Sequence, residues 1–99
     1  MVTIIANGSD KQNKWAQDIA DGWIRHIDTE IEANRFREPG SPYYGIIALL
    51  EEYKTKAIAQ LAKTTAKQII DRYTSRQMLD AYVIDTARKV MTKRVEEGK

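Results

Sequence analysis

His26 is the one histidine of the 99-residue chain, and cysteine is absent. A Cys/His zinc set is therefore impossible, and a His-rich one lacks its ligands. His26 stands beside Ile27 on the border of an apolar helical stripe, which favours a structural or exposed role over ligation. Asp18, Asp21 and Asp28 have the chemistry of a hard-cation site, which takes several oxygen ligands. Arg25 among them and their helical spacing make them a solvated polar face instead. Ser9, Ser41 and Ser75 all stand at expected helix starts, where capping accounts for them. There is neither a phosphate-binding loop nor a dinucleotide fingerprint. These residues point away from an enzyme and imply no metal and no cofactor.

The basic residues carry more. Lys56, Lys63 and Lys67 recur at spacings of 7 and 4, with no acid between Lys54 and Ile70. Arg88, Lys89, Lys93 and Arg94 form a second cluster near the end of the chain. Such stripes neutralise phosphates, although a solvated face and an anion-rich protein partner fit them too. Tyr43 and Tyr44 are adjacent, and neighbours on a helix cannot both face one core, so one of them is expected at the surface. There it can stack on a base or anchor a protein interface. Trp15 and Trp23 form another potential stacking pair, but they share a stripe with Ile19 and Ile27, which favours core packing.

The elements that must position these groups are helices. Ser9 and Gln12 have the form of a capping box, with Asp10 suited to the positive end of the dipole. Trp15, Ile19, Trp23, Ile27 and Ile31 follow at i, i+4 steps, widened by Ala16, Ala20 and Ile24. The first helix is predicted over about 10–37, ended by Pro39 in the stretch Glu38-Pro39-Gly40-Ser41-Pro42. Ser41-Pro42 then reads as an N-cap followed by proline at the first helical position. A second helix is predicted over 42–73, either one rod or two pieces with a kink near Lys54-Thr55-Lys56. Thr74 and Gln77 form another capping box. They open a third helix over 75–96 that turns Leu79, Tyr82, Val83, Thr86, Val90 and Met91 inward. Residues 1–8 are expected to be an arm whose Ile4 or Ile5 packs as a staple near Trp15 or Ala16, a lone strand having no partner here.

The expected fold is all-α: one domain, an elongated three-helix antiparallel bundle with a short N-terminal arm. A hydrophobic fraction of 42% and a charged fraction of 30% suit a folded, water-facing chain. No apolar run reaches the roughly 18–20 residues that cross a bilayer. The first residues lack the basic region of a signal peptide, and the default location is cytoplasmic. Net charge is only +2, but the part through Glu38 sums to −2 and the remainder to +4. The second part is therefore the expected anion-facing surface. So slender a bundle leaves apolar surface, including Trp23, Tyr43 and Tyr44, for a partner or a second copy in a homodimer.

The opening Gly8-Ser9-Asp10-Lys11-Gln12-Asn13-Lys14-Trp15-Ala16 resembles a group of small, largely uncharacterised bacterial and phage proteins. Their helix begins Gly-Ser-x-Lys-Gln-x-x-Trp-Ala. Ala66-Lys67-Gln68-Ile69-Ile70-Asp71-Arg72 is similar to a later stretch of theirs, Ala-Lys-x-Trp-Ile-Asp-x-Arg, with Ile69 in place of the tryptophan. The resemblance implies a mobile-element setting and brings no assigned activity. Small phage proteins without a catalytic site often bind and block a host machine. The expected function is thus a non-enzymatic binding protein, inhibiting a host nucleoprotein such as a CRISPR effector by surface occlusion. The alternative is a nucleic-acid-binding accessory protein that uses the basic helix faces.

Overall fold

The computed structural model describes residues 2–36, Tyr43, 45–74 and 79–98, with backbone alone for Tyr73 and Thr74. Four helices account for most of them: α1 (Asp10–Asn34), α2 (Ile46–Leu61), α3 (Ala66–Thr74) and α4 (Leu79–Glu97). The molecule is elongated, 52 × 22 × 19 Å.

The start of α1 is built from side chains that fold back on the preceding turn. Ser9 Oγ accepts from the Gln12 N–H at 3.2 Å, and Gln12 Oε1 accepts from the Ser9 N–H at 2.9 Å. Asn13 adds a second clasp, its Oδ1 accepting from the Gly8 N–H and its Nδ2 donating to the Gly8 carbonyl. A Cβ on Gly8 would lie 2.9 Å from Gln12 Cβ, so the returning glutamine needs glycine there. Gly8, Ser9, Gln12 and Asn13 are thereby accounted for as a helix start. Ser9→Ala is expected to cost about 0.5–2 kcal/mol, read as a lower denaturation midpoint. An unchanged midpoint would remove the capping role.

Ala16, Ala20, Trp23, Ile24, Ile27 and Ile31 of α1 are buried, as their spacing predicts. Trp15 is not; it is 46% exposed. The buried row is centred on Ala16, Ala20 and Ile27, which leaves Trp15 at its edge. Helix α1 ends at Asn34 rather than near residue 37, with the Arg35 N–H tightened onto the Glu32 carbonyl. The Pro39 breaker and the Ser41-Pro42 cap lie outside the described residues, as does Tyr44. Tyr43 is in a turn before α2 rather than on it, half-buried against the core, and its carbonyl accepts from the Ile46 N–H.

The expected second helix is two helices, and the break is at 62–65 rather than at Lys54–Lys56. Neither glycine nor proline is involved. The Lys63 and Thr64 amides tighten onto the Gln60 and Leu61 carbonyls, and buried Thr64 donates its hydroxyl back to Gln60. Thr65 and Gln68 then form a capping box of the Ser9–Gln12 kind, opening α3. The arm completes the corner. Ile5 donates to the Thr64 carbonyl at 2.9 Å and accepts from the Ala66 N–H at 2.8 Å, a single parallel bridge. Asn7 Oδ1 accepts from the Lys67 N–H, an early orphan donor of α3. The arm therefore does find a backbone partner, and Ile5 is held by its main chain with its side chain partly exposed, while Ile4 packs on the core.

Asp21 fastens the beginning of the arm, its Oδ1 accepting from the Val2 N–H at 2.8 Å. Asp28 accepts a 2.5 Å ion pair from Lys54 of α2. The polar face of α1 is thus a set of tethers as well as a solvated stripe. Helices α1, α2 and α4 pack pairwise on one another, whereas among the described residues α3 packs on α1 and no other helix. Gly45, before α2, lies beside Met91 near the end of α4, so α2 and α4 run antiparallel. On α4 the buried residues are Asp80, Val83, Ile84, Ala87 and Met91. Tyr82, expected inward, is 70% exposed, because the true stripe is centred about one residue further along the helix. The third helix is described from Leu79, and most of the Thr74–Gln77 capping box lies outside the described residues.

Candidate interaction surface

Two rows of side chains line an apolar groove among the described residues. On α2 the row is Tyr53, Lys56, Ala57 and Gln60; on α4 it is Leu79, Tyr82, Val83 and Thr86. Each is an i, i+3, i+4, i+7 set, which is one helical face two turns long. Because the helices lie side by side, the rows enclose a groove of about 350 Å³. Ala57 and Val83 are buried at its floor, while Tyr82 stands high on one wall. Lys56 is the one charged residue among the described residues of the lining. Its ammonium lies 5.6 Å from the centre of the Tyr53 ring and 3.3 Å from Glu52.

The basic residues singled out in the sequence are spread over several elements. The break in the second helix places Lys56 on α2, Lys63 in the corner and Lys67 on α3, so they form no single helical stripe. All three are exposed. The α4 cluster is largely paired with acids. Arg88 reaches Glu30 of α1 at 2.5 Å, Lys89 reaches Asp85 at 2.9 Å, and Lys93 reaches Glu97 at 4.0 Å. The hydrogen bond that the Lys89 ammonium donates to Asp85, helped by the charge of Asp85, holds that ammonium above the usual lysine range. Exposed pairs of this kind are weak, yet they cancel local charge. Lys63, Lys67 and Arg94 make no ion pair among the described residues.

His26 has a partner that its sequence position did not reveal. Its Nδ1 donates to Oδ2 of Asp80 in the first turn of α4, tying α1 to α4. The histidine side chain is 56% exposed and the aspartate side chain 10%. Asp80 Oδ1 is buried with no hydrogen-bond partner among the described residues. Nearby, Glu30, Asp85 and Arg88 line a shallow depression beside the histidine. No group of three or more His, Cys, Asp or Glu residues arranged to hold a metal occurs among the described residues. Nor is any helix among them long and apolar enough to cross a membrane.

Of the residues that shape the groove, sequence reading singled out only Lys56. Leu79, Tyr82, Val83 and Thr86 are expected from the sequence to face inward. The signal was present in the two i, i+3, i+4, i+7 rows, but which side of each helix stays open depends on where α1 packs. Comparison with protein-family models, curated proteins and solved structures finds no match to this chain.

Proposed function

We propose that this chain is a binding protein that acts by covering part of a protein or nucleoprotein partner with the face around the α2–α4 groove. The observation that carries the reading is Tyr82, 70% exposed on the wall of a groove whose floor is apolar. A large aromatic held at the edge of a concave apolar surface is the usual anchor of a protein interface. Occlusion follows from the rigidity of the helical face, with no bond chemistry required. The mobile-element setting implied by the Gly-Ser-x-Lys-Gln start makes a host machine such as a CRISPR effector the class of target, and an inhibitor the form of action.

A direct nucleic-acid role is the second reading, favoured by Lys63, Lys67 and Arg94, which no acid neutralises among the described residues. The two separate experimentally. Phosphate binding releases counterions, with a slope of log affinity on log salt near −0.9 per phosphate on duplex. Binding to random DNA at physiological salt is expected to be micromolar or weaker. Capture of a host protein is expected to survive nuclease and to be lost in Tyr82→Ala, while Lys63→Glu/Lys67→Glu retains it. Submicromolar, salt-steep DNA binding that disappears in the double Glu variant would install the second reading instead.

A further inference from the structure

The α2–α4 pair, like any two packed helices, has a groove on each side. Helix α1 fills one of them, since it packs against both α2 and α4. No α1 residue lines the other, so it opens on the side away from α1. From this we infer, resting on the binding role proposed above, that its occupant is an amphipathic helix of a partner protein carrying an acidic side chain opposite Lys56.

Shape argues for a helix. Both walls are i, i+3, i+4, i+7 rows, and a third helix seats its own ridge between two such rows as α1 does on the opposite side. The rows are each about 10 Å long at ~1.5 Å rise per residue, which accepts apolar side chains at i, i+3 or i+4, and i+7 of an incoming helix. Small residues at the centre, Ala57 and Val83, let that helix approach, while the Tyr53 and Tyr82 rings bracket it.

Charge argues for the acid. Lys56 is the one ionic group among the described residues of the lining, and the carboxylate it now meets, Glu52, lies outside it. Both members of that pair are more than half exposed, at 69% and 55%. An exposed i, i+4 pair so placed is weak, so a partner carboxylate can replace it. Beside an apolar ligand the replacement pair is better shielded from water than the one it displaces.

The test is selection of a displayed peptide library on the folded protein, half of it built on a helix-forming framework and half on a proline-rich extended one. Peptides of about 16 residues are used, because shorter helices are marginal in water. Helical binders with apolar residues at i, i+3/i+4, i+7 and a neighbouring Glu or Asp are expected. They should weaken roughly tenfold or more on Tyr82→Ala, and repeating the selection on Lys56→Glu should exchange their acid for Lys or Arg. Extended or basic peptides that lose binding in Tyr82→Ala would overturn the helical, acidic occupant while leaving the groove as the binding site. Concentration-dependent dimers abolished by Tyr82→Ala would do the same, in favour of a second copy. Helical binders indifferent to Tyr82→Ala, or no enrichment on either framework, would overturn both the occupant and the groove.

Discussion

Trp23→Ala is expected to lower the stability of this domain by about 3–5 kcal/mol, the cost of deleting a buried indole and leaving a cavity. Trp23 is 4% exposed in the middle of α1, within the cluster that also holds Ile27, Leu50 and Val83. No other helix can replace the lost volume, because α1 is the element on which α2, α3 and α4 all pack. For a chain of this size a loss of that order is a large fraction of the total stability. Urea denaturation followed by far-UV circular dichroism measures it. A drop below about 1 kcal/mol would mean that Trp23 is not at the centre of packing. Trp15→Ala is the matched control. Its ring is nearly half exposed, so its cost should be clearly smaller despite the same chemistry.

His26→Ala is expected to cost about 1–2 kcal/mol, for a different reason. The histidine itself is mostly at the surface, but it is the hydrogen-bond partner of a buried carboxylate whose other oxygen has none among the described residues. Removing the ring leaves Asp80 buried and unsatisfied between α1 and α4. The exposed position of the ring lets water reach part of the gap, which holds the effect to the lower part of the range. A double-mutant cycle with Asp80→Ala isolates the pair. The double variant should be more stable than the sum of the two single losses predicts, by about 0.5 kcal/mol or more. Strict additivity would show that the two side chains do not support each other.

The Trp23 and His26 experiments address different layers of information in the chain. Trp23 shares one face with Ala20 and Ile27 because residues three and four apart lie on the same side of a helix, and that rule acts within α1 alone. Nothing within α1 announces that His26 will meet Asp80, which is 54 positions away in sequence.

Local rules account for most of what the amino-acid sequence determined by itself. The Ser9–Gln12 capping box, the buried stripe from Ala16 to Ile31 and the all-helical character rest on contacts within about four residues, whose geometry any helix supplies. The corner at 62–65 was half legible on the same basis, since Thr65 and Gln68 repeat the Ser9–Gln12 spacing without a glycine or proline to draw attention to them. What made it a corner was tertiary. Ile5 and Asn7 supply the hydrogen bonds that a continuous helix would have made for itself, and Asn7 does so across 60 residues. The open groove was decided in the same way. Both sides of α2 and α4 carry apolar residues, and only the docking of α1 on one side determined that Tyr82 would be left on the other. Charge followed packing too: Arg88 looked free in a basic cluster until α1 brought Glu30 to it from 58 positions away. Helix formation needs only near neighbours, whereas the choice of an exposed face and of an unpaired charge needs the whole chain assembled.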